Sequence, residues 1–209
     1  MVLTILPPHL LLSFVLLILM SCGTGNKFIT ESYSHRHLYK LSFTQNERSP
    51  LTASDTSSLN FYMPDQRWVK KAVFKPEEKD SVIEIPTYSG IKKPYRLYGT
   101  LTFKHEKKSL VLEVFKSAQI PANPLYKNHL FLPFKDETNG EDTYGGGRYL
   151  DLSASDIKNN TIILDFNKCY NPWCAYSDGF NCPVPPKSNH LPIRVQAGEK
   201  VFTGSYKHK

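Results

Sequence analysis

Cys169, Cys174, Cys182 and His190 place ligand-type side chains within one C-terminal stretch, spaced C-x4-C-x7-C-x7-H. Three chemistries fit this spacing. A Cys174–Cys182 bridge would close a short loop through Gly179 and contribute about 2.5 kcal/mol in the loop-entropy picture. Cys169 would then serve as a small buried apolar group. Alternatively, all four residues would hold a structural zinc, although the tight C-x2-C knuckle of such sites is missing. In the third reading, Cys174 or Cys182 is a thiolate, activated by a neighbouring cation such as Arg148. Tyr170, Trp173 and Tyr176 interleave the cysteines. They suit either stacking on a sugar face or plugging the core beneath a loop.

A second stretch, residues 133–152, contains Gly145-Gly146-Gly147 directly before Arg148. Successive glycine N–H groups can cradle an anion, and an adjacent guanidinium adds a fork for carboxylate or phosphate. The plain alternative is a tight turn, with Arg148 paired to Asp136 or Asp151. No Walker ending or strand–loop–helix context accompanies the glycines. Asp136, Asp151 and Asp165, with Asn167 and Asn171, form an oxygen-rich set that could hold calcium without following the EF-hand spacing. The same residue types also cap turns.

The elements that must position these groups are mostly strands. Residues 67–76, 81–88, 95–105 and 109–117 alternate with period two, as do 129–134, 161–166 and 191–202. Residues 105–108, "HEKK", mark a hairpin turn between two of them. Residues 28–46 place Tyr33, His37, Leu38 and Leu41 at near-helical spacing and predict an N-terminal helix. His35 and His37 face different ways on such a helix and form no metal pair. This pattern predicts a mainly β chain, an antiparallel β-sandwich or partly open β-barrel with a short N-terminal helix.

The segments "LFLPFKDETNGEDTYGGGRYLDL", "LDFNKCYNPWCAY", "NCPVPP" and "NHLPIRVQAGEK" resemble, in this order, the signatures of an uncharacterised prokaryotic family, domain of unknown function 1684 (DUF1684). Weaker similarity runs upstream through "SPLT", "FYMPD" and "YGTLTF". The resemblance implies no established activity. It does single out a candidate ligand-binding set: Asp136, Tyr144, Gly146, Gly147, Arg148, Asp151, Asp165, Asn167 and Asn171. It also emphasises Tyr149, Tyr170, Pro172, Pro183 and Asn189. Cys174 and Cys182 belong to the family pattern. Cys169 stands where the family has alanine and His190 where it has arginine, so the resemblance implies a Cys174–Cys182 pair.

The N-terminus carries an address. Residues 10–20 form an apolar run of signal-peptide length, ending in Leu19-Met20-Ser21-Cys22. This resembles a bacterial lipobox, although no Lys or Arg precedes Lys27. The organisation read here is a signal peptide over 1–21, a lipidated Cys22 and tether over 22–27, and one β-rich domain over 28–209. The expected partners are a lipid membrane through Cys22 and a small anionic or carbohydrate ligand. The net charge of +7 is scattered, with its densest pairs at Lys70-Lys71, Lys92-Lys93 and Lys107-Lys108. No basic stripe or nucleic-acid motif accompanies it, so nucleic acid is not an expected partner. No cofactor is expected. These features predict an envelope-tethered binding module, with a hydrolase using the Arg148 cluster and the Cys174/Cys182 loop as the alternative.

Overall fold

The computed structural model describes residues 27–119 and 124–208. The lipobox and Cys22 lie outside these residues. Helix α1 spans 27–44. Seven strands follow: β1 (Val69–Pro76), β2 (Val82–Pro86), β3 (Lys92–His105), β4 (Lys108–Ser117), β5 (His129–Phe134), β6 (Arg148–Ser153) and β7 (Thr161–Asp165). They form one antiparallel sheet in the order β6-β5-β4-β3-β1-β7, with β2 beside the first half of β3. The sheet curls into a half-barrel, the partly open form of the expected β architecture.

The curl begins in β3. This strand is long enough to pair β2 over Arg96–Lys92 and β1 over Thr102–Gly99. Its register with β4 slips between Leu97 and Gly99, a bulge that bends the strand. Gly99 permits the bend, because a Cβ there would collide with the Lys75 carbonyl. At the next seam, Asn189 substitutes for ladder bonds. Its amide donates to the Glu113 and Pro133 carbonyls at 2.8 and 2.7 Å and accepts from the Glu113 N–H at 2.7 Å.

Period-two alternation fills the concave face with Ala72, Phe74, Leu101, Phe103, Leu112, Leu130, Leu132, Phe134, Leu150 and Leu164. An open half-barrel needs a plug, and residues 191–197 supply it. Leu191, Ile193, Val195 and Ala197 point into the core, while Pro192, Arg194 and Gln196 face out. This segment alternates as a strand does, yet it joins no ladder, and the strand expected over 191–202 is corrected to an extended plug. Residues 148–153 make the opposite correction. Within a stretch expected to be loop, they pair with β5 from Arg148 to Ser153.

The helix forms where its pattern predicts, but with a different buried face. Tyr33, Leu38 and Leu41 are exposed, whereas Ser32, Arg36 and Phe43 are buried. Polar contacts decide the orientation. Arg36 donates to the Tyr62 carbonyl at 2.7 Å and lies over the Phe61 ring. The Tyr39 hydroxyl reaches Tyr176 and Glu199 at 3.0 and 3.1 Å.

Phe166 is fully buried against Trp68, Phe103 and Phe134. Phe166→Ala is expected to cost about 3–5 kcal/mol, as truncation of a central aromatic does. Urea unfolding with an unchanged m-value measures it.

Candidate functional site

The expected site residues divide between the interior and a cleft. Arg148 opens β6 on the concave side and is 0% exposed. One Nη2 bond goes to Asp136 at 2.7 Å and another to the Val195 carbonyl at 2.8 Å. Its Nη1 donates to the Ala197 and Glu199 carbonyls at 2.5 and 3.2 Å. Asp136 in turn accepts from the Thr138 N–H and hydroxyl and from the Val195 N–H. The guanidinium therefore grips the plug and turns no donor toward solvent. The anion fork expected at Arg148 is corrected accordingly: the structure commits this group to internal acceptors.

The glycines beside it make a turn. The Gly147 N–H closes onto the Tyr144 carbonyl at 3.1 Å, with φ at 92°. A Cβ there would lie 2.7 Å from the Phe134 carbonyl oxygen, so close backbone approach explains the residue. The Gly146 carbonyl accepts from the Tyr88 hydroxyl. Tyr144 donates to the Cys174 carbonyl at 3.3 Å.

The remaining polar residues do not converge. Asn167 exchanges two bonds with the Asp65 backbone and donates to Asp165, which caps its turn. Asn171 donates to the Lys200 carbonyl, and its N–H to Glu199. The oxygen-rich set expected for calcium is thus spread over separate contacts. Among the described residues, no three His, Cys, Asp or Glu side chains are grouped to hold a metal.

Cys174 and Cys182 form a disulfide. The sulfur proposed as a hydrolase nucleophile is therefore bonded. Cys169 is buried, donates to the Phe166 carbonyl at 2.8 Å, and has its thiol pushed up to about 12 by burial. It is an inert core group. The zinc set is corrected with it, since the His190 ring turns to the Pro185 carbonyl at 3.4 Å and, among the described residues, no metal-holding group forms.

The convex side of β5 and β6 carries the cleft. Alternation that sends Arg148 and Leu150 inward sends Tyr149 and Asp151 outward. Across the register, Phe131 pairs with Asp151 and Pro133 with Tyr149. The disulfide loop folds over this face, bringing Tyr170, Trp173 and Cys182 to Tyr95, Phe131 and Tyr149. The cleft is open to solvent and measures about 830 Å³. At one side, His129 Nε2 meets Asp151 at 2.9 Å, and the Tyr170 hydroxyl donates to the other carboxylate oxygen at 2.9 Å. Burial and the Asp151 charge both push the Tyr170 hydroxyl up, so it stays a donor. Burial takes Tyr95 up to about 12. Lys93 is half-buried at the rim, and burial lowers its pKa. Of the expected set, only Asp151 reaches this cleft. Tyr95, His129, Phe131 and Lys93 were missed, although the alternation of "HLFLPF" already places His129 and Phe131 on one face.

The pattern of the family described as "Protein of unknown function (DUF1684)" matches residues 55–200. The chain belongs to this family. No curated protein matches it. Among solved structures, this DUF1684 chain is similar to the solution NMR structure of an uncharacterized protein from gene locus rrnAC0354 of Haloarcula marismortui. The two share 31% identity over 85% of this chain and 96% of that one, with a TM-score of 0.66.

One further buried acid marks the interior of this chain. Glu199 is fully buried and accepts from Tyr176, Tyr39 and the Asn171 N–H at 2.7, 3.1 and 2.8 Å. Burial outweighs these bonds and raises its pKa from 4.5 to about 7.

Two predictions follow from these interior groups. Arg148→Met should destabilise the chain by about 3–5 kcal/mol, because Asp136 is left charged and buried; the Asp136→Asn/Arg148→Met pair should recover part of that loss. Chemical denaturation of the three variants is the measurement. The Glu199 contribution is fully present below pH 4.5 and lost as pH rises through about 7, since the folded state holds the proton more tightly. Glu199→Gln should flatten this part of the stability–pH curve, read from urea midpoints across that range.

Proposed function

We propose that this chain is a lipid-tethered module of the cell envelope that binds a carbohydrate ring in the aromatic cleft. The observation carrying this reading is the combination of exposed ring faces with one carboxylate of fixed geometry. Tyr95, Tyr170 and Trp173 are partly open to the cleft, and aromatic faces suit the C–H face of a pyranose. Asp151 keeps acceptor capacity beyond its bonds to His129 and Tyr170 and suits sugar hydroxyls. The Cys174–Cys182 bridge supports an oxidising compartment, in keeping with an anchor at Cys22.

Trp173 lines the cleft and supplies the readout. Titration with a panel of hexose, N-acetylhexosamine and uronate oligosaccharides should give saturable fluorescence changes that Trp173→Phe removes. Asp151→Asn should weaken binding about tenfold, the worth of one charge-assisted hydrogen bond, with melting unchanged. A panel in which no member binds, or binding indifferent to both Asp151→Asn and Tyr95→Ala, would sink the reading. The hydrolase alternative retains one supporting contact, the His129–Asp151 pair. Product formation from the same panel, abolished by His129→Ala, would favour it.

A further inference from the structure

The concave face changes character at one end. Along β1, β3 and β4 its positions are apolar from Phe74 and Ala72, from Leu101 and Phe103, and from Leu112 and Leu110. Two residues further along each strand, the same face presents Lys70, His105 and Lys108. His105 pairs directly with Lys108 across the hairpin. The plug segment closes the far side with Arg194 and Gln196, and Arg67 and Trp68 complete an open cavity of about 520 Å³.

The arginines and the lysines of this cavity differ in how they are paired. Arg67 is held by Asp65 at 2.7 Å, and Arg194 by Glu141 and Asp142 at 2.9 and 3.0 Å. Lys70 and Lys108 form no ion pair among the described residues. The Lys70 ammonium stands over the Trp68 ring at 5.8 Å, and Lys108 spends one N–H on the Pro192 carbonyl at 2.9 Å. The cavity has one acid, Glu106, on the exposed turn. His105 stacks on Trp68 at 4.5 Å, and its buried Nδ1 has no partner among the described residues. Burial, then the Lys70 charge, lowers the His105 pKa.

Lysines at strand ends ordinarily guard a sheet against edge pairing. That role needs them on an edge or facing solvent. Lys108, exposed at the hairpin end, can serve that role, but Lys70 is partly buried on an interior strand, and both line a cavity beside a ring nitrogen that has no partner among the described residues. Asp65 and Glu106 offset part of the Lys70 charge through space, but neither lysine has a contact ion pair among the described residues, and a bound anion would supply one. Donors arriving from three strands suit a tetrahedral oxyanion better than a planar carboxylate, which matches a single guanidinium fork.

We propose that this cavity binds a phosphate or sulfate oxyanion through Lys70, Lys108 and His105. The site is separate from the aromatic cleft and independent of its ligand.

The test titrates the full-length chain in detergent with inorganic phosphate and with sulfate, at ionic strength fixed by chloride. The readouts are the Trp68 indole and His105 imidazole NMR resonances. Saturable shifts are expected, about tenfold weaker in Lys70→Met and in Lys108→Met, and unchanged in Asp151→Asn. Melting curves confirm that each variant folds. A parallel arm compares sedimentation with phosphatidylglycerol and phosphatidylcholine vesicles. Phosphatidylglycerol binding lost in both lysine variants identifies a lipid headgroup as the source, and phosphate binding without it identifies a soluble one. If chloride reproduces the shifts and the vesicles do not discriminate, the proposal is overturned. Wild-type affinity in both lysine variants overturns it as well.

Discussion

The fold depends on a buried ion pair that does the work of a missing strand. A curled sheet with its concave face open must be filled, and the filling segment, residues 191–197, has no ladder to hold it. Arg148 solves this by bonding two of its carbonyls, at Val195 and Ala197, and that of Glu199 just beyond, while Asp136 takes one of its amides. A guanidinium carries five donors in a rigid plane; the two Nη groups make four bonds here, where lysine would offer a point charge, and the buried Nε has no partner among the described residues. The pair is worth little as attraction alone, given the desolvation of both groups. Its value lies in satisfying backbone groups that the plug would otherwise bury unpaired.

β6 links this interior to the surface. Its side chains alternate, so neighbours in sequence serve opposite sides of the sheet. Arg148 fixes the plug, and Tyr149 and Asp151 build the cleft floor. The Tyr149 hydroxyl donates to the Pro183 carbonyl at 2.5 Å, tying the floor to the exit of the disulfide loop. The bridge then holds the Trp173 wall against that floor. Pre-organisation of this kind lowers the ordering cost of binding a rigid ring.

The same plug supplies a second layer of coupling. Glu199 lies two residues beyond it and binds Tyr39 on α1 and Tyr176 on the disulfide loop. Helix, plug and loop therefore meet at one carboxyl, which forms no ion pair among the described residues. Cleft wall and helix share this anchor, so the interior chemistry and the surface geometry are parts of one packing solution.

Much of this was legible in the order of residues. Period two marked six of the seven strands, the 3.6 period marked the helix, and the family signatures marked the cysteine pair, because these signals are local. β6 was hidden because three glycines and several acids precede it, and its short alternation of six residues reads as loop. That omission placed Arg148 and Asp151 in one site, when three positions along a strand put them on opposite faces. The 191–202 segment erred the other way, since alternation reports which side chains are buried and says nothing of which backbone pairs with which. Composition and spacing by themselves determined a β-rich chain with a helix and a short cysteine loop. Which polar groups face solvent, and which are spent holding the plug, only the tertiary structure decided, because burial and hydrogen-bond partners arise between segments far apart in the chain.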